Sequence, residues 1–372
     1  MTMLSIKDVI PGFKLKSDVL TELGSVLLSK GQVLLPRDLE ILHAFLIKEV
    51  EIEMDQTVEG YKALEGNKQA AKQQDKNKEN VALAFSNFTT EENEWEKFNE
   101  AYDKTLALVK QAFHLVLVSE LPVLELRTRL KEMFNYIHKY NVITFTPQSM
   151  SESDYIYHNA VMCSLTSYLL AQWAGLPQKD WIPAAFAGLL HDIGNAKVDH
   201  NILHKPSALT PEEAAEMRQH TIYGYELLSK VKGINEGVRL AALQHHEKVD
   251  GSGYPMKIKG QQTHIYARIA SVADIFHAMT LQKAYRKAQS PYLVLEQIKS
   301  EAFGKLDPAI VQTFISKATQ LGMGTKIRLN DQRTGEIVFA DRDYPTRPMV
   351  NIDGEIINLV QNTNLYIEEI IS

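Results

Sequence analysis

Residues 182–194 read IPAAFAGLLHDIG, and this stretch decides the fold. From Ile182 to Leu190 it carries no charged side chain and reads as a strongly apolar helix within a central all-α domain. It then ends on His191 and Asp192. A charge left unpaired in apolar surroundings costs several kcal/mol, so this pair must be partnered, ligated or solvated.

Working outward, apolar residues recur at helical spacing from Glu92 to Tyr140, as in Leu106, Val109, Phe113 and Leu117. Helical patterns then dominate to about Leu321, with Pro147, Pro177, Pro211 and Pro291 marking breaks or first turns. Upstream, Ile10-Pro11-Gly12, Leu23-Gly24 and Lys30-Gly31 punctuate short β-type runs at Ser25–Ser29 and Gln32–Leu35. Pro36-Arg37-Asp38 opens a helical pattern through Leu39, Leu42, Phe45 and Leu46. Between these regions Glu65 to Asn80 is polar and nearly free of large apolar side chains, a linker or a solvated helix. After Gly322 the texture turns β-like, with Lys326–Leu329, Glu336–Phe339, Met349–Ile352 and Glu355–Leu359 separated by Asn-Asp, Arg-Thr-Gly and Asp-Gly turns. The expected fold is mainly α. A small α/β unit (1–60), a polar linker (61–90) and connecting helices (91–150) precede a central all-α domain (151–321), and a small β-rich extension (322–372) follows it.

Bulk properties narrow the function classes. The chain has 372 residues, 45% hydrophobic and 23% charged, in the range of ordinary globular proteins. No apolar run approaches the ~20 residues that cross a bilayer, so membrane insertion is not expected. Met1 to Lys14 lacks the layout of a signal peptide, and a single cysteine, Cys163, fits a reducing cytoplasm, where the protein is expected to reside. Cys163 lies in an apolar helical stretch and reads as a small buried hydrophobe. A net charge of −6 argues against wrapping a nucleic-acid polymer but leaves room for a small anionic ligand held by metal ions and a few local cations.

The chemistry-bearing residues are histidines interleaved with aspartates. Asp154 and His158 are spaced i, i+4 at the start of an apolar helix, which puts them on one face. His220 falls later in the same domain. His245 and His246 precede Asp250-Gly251-Ser252-Gly253-Tyr254-Pro255, where an ending helix lets two neighbouring imidazoles reach one centre and Tyr254 can form a wall or donate a hydrogen bond. Asp274 is a carboxylate on another apolar helical face. The Asp154–His158 pair alone is more often a local hydrogen bond; four helices each delivering imidazole or carboxylate from apolar faces point to a metal site. Such sets select Fe, Mn, Zn or Co over Mg or Ca. Five histidines and two or three aspartates exceed one ion's shell, so two ions are expected and a third stays open. Two divalent ions ~3.5–4 Å apart can hold a bridging hydroxide and clamp phosphoryl oxygens, which is phosphoester hydrolysis without a covalent intermediate.

His191-Asp192-Ile193-Gly194 and His245-His246-Glu247 through Asp250-Gly251-Ser252-Gly253-Tyr254-Pro255 resemble the two defining motifs of the HD-GYP domain family. These are bacterial cyclic di-GMP phosphodiesterases within the HD metal-dependent phosphohydrolase superfamily. The resemblance runs from about Tyr155 to Thr319 and takes in Leu203 to Glu213, Gln219 to Gly224, Ala273 to Phe276 and Tyr285 to Ala288. It implies an HD-type helical domain in which His158, His191, Asp192 and Asp274 hold one metal. Asp192 would bridge to a second metal held by His220, His245 and His246, with His191 and Asp192 at the catalytic centre. Asp154 matches the position of a Glu in members with a third metal. Lys283 and Arg286 match residues that contact ligand phosphates, with Tyr254 beside them as a substrate-side residue.

There are two departures. Asn195 stands where the family usually has a lysine that donates charge to a phosphate. Losing one charge-assisted contact costs roughly 1.5–3 kcal/mol. His277 stands where many members have Asp, as a supporting residue or a packed histidine. The resemblance implies a phosphodiesterase that converts cyclic di-GMP to pGpG, with GMP as a further product. The alternative is a degenerate HD-GYP protein that binds metal and cyclic di-GMP as a sensor or interaction module with little turnover; a related phosphohydrolase acting on another cyclic dinucleotide or nucleotide is a third reading. The terminal units resemble extensions seen in some members, and homo-oligomer or signalling-partner contacts are expected of them on position alone.

Overall fold

A computed structural model describes residues 2–5, 9, 13–20, 26–34, 38–39, 42, 47–53, 73–148, 150–151, 154–282, 288–302, 304–320 and 322–371, with the backbone alone for 73–92. Lys283 and Arg286 therefore lie outside the described residues, as does much of the helical pattern expected over residues 36–46. The chain divides into two compact units. One comprises Met1–Thr90, Met323–Lys326 and Thr334–Thr363, and the other Glu91–Gly322, Ile327–Arg333 and Asn364–Ser372.

In the first unit β1 (Thr2–Ser5), β2 (Lys14–Leu15), β3 (Val19–Leu20), β4 (Val26–Leu28) and β5 (Glu49–Glu53) are short. β5 pairs antiparallel with both β1 and β2, and β3 pairs with β4. Alternation decides which face is dry: Val50 and Ile52 of β5 join Leu15, Leu28, Leu34 and Leu42 in the core. Met323 and Phe339, from the far end of the chain, pack against that same core. The expected N-terminal unit and part of the expected C-terminal extension thus share one hydrophobic cluster.

The second unit is helical. α1 (Gln73–Leu115), of which the residues after Thr90 belong to this unit, begins inside the stretch expected to be linker or solvated helix. It is followed by α2 (Val123–Phe134), α3 (Tyr155–Trp173) and α4 (Gln178–Leu190). Next come α5 (His200–Leu203), α6 (Pro211–Arg218), α7 (His220–Ser229) and α8 (Glu236–Gln244). α9 (Ile265–Thr280), α10 (Pro291–Glu301) and α11 (Pro308–Ala318) complete the series. Every residue of α3 from His158 to Ser167 is buried, and α4 is buried from Ala184 to Leu190. A fully buried Leu or Val contributes ~1.5–3 kcal/mol, so these two mutually packed helices anchor the domain. The ends are set locally. Thr210 and Glu213 form a capping box at α6, and Asn235 and Asp307 accept main-chain N–H groups at the starts of α8 and α11.

Downstream, β6 (Lys326–Leu329), β7 (Thr334–Phe339), β8 (Met349–Ile352) and β9 (Glu355–Asn358) follow the expected strands closely. β7, β8 and β9 form an antiparallel meander. Its β8–β9 turn places Asp353 and Gly354 at φ 52° and 88°, the two positive values of a type I′ hairpin. β10 (Ile367–Ile370), which was not expected, pairs antiparallel with Ile327–Leu329. Among the described residues no helix is long and apolar enough to cross a membrane.

Candidate metal centre

The end of α4 separates two neighbouring side chains. His191 is still helical, at φ −54° and ψ −38°, whereas Asp192 turns to φ −101° and ψ 11° and starts the short 3-10 turn Ile193–Lys197. The break sends them into two adjoining groups of ligand atoms. His191 meets Asp274 and Cys163; Asp192 meets His220, His245 and His246. Within each group the ligand atoms lie within 4.8 Å of one another.

Main-chain carbonyls fix the imidazoles. His191 donates from Nδ1 to Gly188 O (2.8 Å), and His220 donates from Nδ1 to Met217 O (2.6 Å). His245 donates from Nδ1 to Ala241 O and Ala242 O, both at 3.1 Å. A carbonyl only accepts, so in each neutral ring the proton sits on Nδ1 and the Nε2 lone pair faces the centre. There the lone pairs crowd. Nε2 of His220 is 3.3 Å from Nε2 of His245, and the two lie 3.3 and 3.5 Å from Asp192 Oδ1. His191 Nε2 is wholly buried without a hydrogen-bonded partner, 3.4 Å from Asp274 Oδ1 and 3.5 Å from Asp192 Oδ2. Ligand atoms that share one ion at about 2.1 Å stand roughly 3–3.5 Å apart, so this spacing fits divalent metals with a taste for imidazole.

Without metal the electrostatics are lopsided. Burial opposes protonation of His191, but the carboxylates of Asp192 and Asp274 outweigh it and raise the pKa to about 9. Burial pushes His220 and His246 down. Burial also opposes ionisation of Asp192 and Asp274, yet His191 and its neighbours hold both carboxyls below the usual range. A metal entering this centre must displace the His191 proton. Metal affinity is therefore expected to rise about tenfold per pH unit from neutrality and to level off once pH passes the His191 pKa of about 9. Titration calorimetry in two buffers of different ionisation enthalpy would read the released proton; affinity that is flat with pH would refute the assignment.

Residues 144–310 match the family model for the HD domain. This segment is similar to HD domains. A cyclic di-GMP phosphodiesterase of Pseudomonas aeruginosa is 31% identical over 189 residues, covering 50% of this chain and 45% of the relative. A 3'3'-cGAMP-specific phosphodiesterase of Vibrio cholerae is 32% identical over 147 residues, covering 39% of this chain and 28% of the relative. The chain spans less than half the length of either relative. In fold it is similar to a solved structure from Bdellovibrio bacteriovorus described as an HDG"Y"P protein. That likeness has a TM-score of 0.50 and 17% identity, and covers 84% of this chain and 97% of the other.

The remaining candidates in the HD domain fall in several places. Tyr254 stacks on His246 at 4.7 Å between ring centroids, with the Arg218 guanidinium 5.4 Å from its ring, so it forms a wall of the centre. Asn195 lies in the 3-10 turn, 7% exposed, its Oδ1 without a hydrogen-bonded partner. His158, buried on α3, belongs to neither ligand group, Cys163 standing with His191 and Asp274 instead; its Nδ1 is 2.9 Å from the Tyr102 hydroxyl. Asp154 belongs to neither ligand group; its Oδ2 is 2.9 Å from Lys110 Nζ. His277 is a packed histidine, 2.7 Å from Thr166 Oγ1, and burial pushes its pKa down to about 3.

Three supporting residues escaped sequence reasoning. Asn159 donates from Nδ2 to Asp274 Oδ1 (3.0 Å), and its only sequence signal was its position beside His158. Tyr102 gave no signal. Glu247 was visible in the motif without a role. Its carboxylate accepts from the main-chain N–H groups of Met256 (2.6 Å), Lys257 (3.1 Å) and Ile258 (3.2 Å), pinning the loop that carries Tyr254. Hydrogen bonds to a charged acceptor contribute about 1.5–3 kcal/mol each but are not additive. Glu247→Ala is accordingly expected to cost ~2–4 kcal/mol, read as a shift in the urea midpoint at constant slope. A cost under half a kcal/mol would mean that the loop is held by other contacts.

Proposed function

We propose that the HD domain is a two-metal phosphodiesterase that opens cyclic di-GMP to linear pGpG, with GMP as a further product. The observation that carries the reading is the hinge at His191 and Asp192, where one carboxylate faces both ligand groups with its two oxygens. His158, His191, Asp192 and Asp274 would hold one ion, and Asp192, His220, His245 and His246 the other, iron or manganese suiting this donor set. Bound metals supply Lewis acidity toward phosphoryl oxygen and a water acidic enough to react at neutral pH. The chain's own work is to aim Nε2 lone pairs through carbonyl-fixed tautomers and to wall the centre with Tyr254. Lys283 and Arg286 are assigned to the phosphates on sequence grounds. The relatives' names support the phosphodiester class, and the Vibrio cholerae relative makes 3'3'-cGAMP the competing substrate to test.

Asn195 favours a second reading, a module that binds metal and dinucleotide with little turnover. It is neutral and buried where a cation would serve a phosphate. The two separate in one assay. Protein purified without chelator, under reducing conditions and supplied with Fe(II) or Mn(II), is given cyclic di-GMP or 3'3'-cGAMP, and products are separated. Metal-dependent release of pGpG by the wild type is expected. Asn195→Lys is expected to raise turnover up to roughly tenfold to a hundredfold, the equivalent of ~1.5–3 kcal/mol in the transition state. A wild type that binds but releases no product, with turnover restored by Asn195→Lys, would establish the sensor reading instead.

A further inference from the structure

We infer that α1, which lies outside the residues matching the HD family, completes the metal centre. Tyr102 sets the tautomer of His158, and Lys110 holds Asp154 out of the ligand set. The inference rests on the two-metal reading above and adds two positioning residues to it.

His158 differs from the other fixed imidazoles. His191, His220 and His245 give Nδ1–H to carbonyls, which cannot donate in return. The Nδ1 partner of His158 is instead the Tyr102 hydroxyl at 2.9 Å, a group able to donate or accept. If that hydroxyl accepts, Nε2 carries the lone pair that a metal requires. If it donates, Nε2 carries the proton and His158 is not a ligand. The hydroxyl thus controls a choice that the main chain makes for the other three. Tyr102 is held for this task. It is 2% exposed, its ring stacks on that of His158 at 5.9 Å, and Phe145 meets it edge-on at 5.2 Å.

Two turns further along α1, Lys110 Nζ lies 2.9 Å from Asp154 Oδ2 and 6.0 Å from the Tyr157 ring centroid. Asp154 immediately precedes α3 and stands four residues before His158, on the same face. A carboxylate one turn from a ligand histidine is a natural further ligand. With an ammonium as its partner it is not, because an ion would have to displace a like charge. Lys110 thereby limits the centre to two ions. The family match begins at residue 144, whereas α1 ends at Leu115, so both contacts come from outside the matched segment.

The test uses the full chain and metal content, with no need for turnover. Wild type, Tyr102→Phe and Lys110→Met are dialysed against graded free Mn(II), and bound metal is measured by mass spectrometry beside a thermal melt of each. Phenylalanine keeps the ring packing, so the fold should persist. Wild type is expected to hold two equivalents. Tyr102→Phe should keep one at wild-type affinity and bind the other 10–100-fold more weakly, in line with the loss of a supporting partner (roughly that range). Lys110→Met should take up an additional equivalent. Tyr102→Phe holding both ions as wild type does, or losing both alike, would overturn the role of Tyr102. Lys110→Met stopping at two would overturn that of Lys110. A wild type that takes up no metal would bring down the two-metal reading and this inference together.

Discussion

Asp192→Ala is expected to abolish hydrolysis, by about a thousandfold or more (~4 kcal/mol in the transition state), while leaving a folded chain. Its carboxylate faces both ligand clusters. Oδ1 is 3.3 Å from His220 Nε2 and 3.5 Å from His245 Nε2, and Oδ2 is 3.5 Å from His191 Nε2. Removing it takes one ligand from each proposed ion at a single stroke. In the metal-free state it also takes away one of the two carboxylates that keep His191 charged, so that imidazole should deprotonate at lower pH. The variant should therefore lose metal, and whatever uptake remains should level off at lower pH than in the wild type. Asp192→Asn keeps the shape but not the charge and should retain only weak metal binding. Bound metal and pGpG release, measured on the same preparations, check this. An Asp192→Ala protein that still releases product at the wild-type rate would remove the centre from the chemistry altogether.

Most of this centre was legible because metal ligands are expensive to place in apolar helices. His191 and Asp192 end a helix buried from Ala184 onward, and Asp274 sits among buried Ser271, Val272 and Ala273. Such polarity has to be explained, and the sequence displays it directly. The β7–β8–β9 meander was equally legible, since its Asp-Gly turn states its own geometry. Other elements were not. β1 and β5 hide in short segments whose pairing joins Thr2 to Ile52, and β10 reads IEEI, too charged to announce a strand. Their partners are distant in sequence, and strand identity is decided by the partner as much as by propensity. The same holds for Tyr102, 56 residues from the imidazole it contacts, on a helix that sequence reasoning treated only as a connection. Periodicity says which face of α1 is dry. It does not say which ring that face will meet.

Gly194→Ala should be the most damaging single-methyl change in the domain, and the reason is steric. A Cβ at Gly194 would lie 1.9 Å from His220 O, 2.5 Å from Gly224 N and 2.8 Å from His220 C. All three are main-chain atoms, so no side-chain rotation relieves the clash. The 3-10 turn after Asp192 and the start of α7 would have to separate. That separation carries His220 away from Asp192 Oδ1, at present 3.3 Å from its Nε2. Overpacking costs typically 1–3 kcal/mol, and a clash with main chain belongs at or above the upper end, so about 3 kcal/mol or more is expected. For a domain of this size that lowers the melting temperature by roughly 6–12 °C. The second ion should be lost preferentially, because its ligand moves while His191 and Asp274 stay on α4 and α9. Gly224→Ala provides the contrast. Its Cβ would meet Ala242 Cβ at 3.3 Å and Gly194 N at 3.4 Å, contacts that small shifts can absorb. If both variants melt alike and keep both ions, the turn after Asp192 is pliable, and the close approach to α7 is not what positions His220.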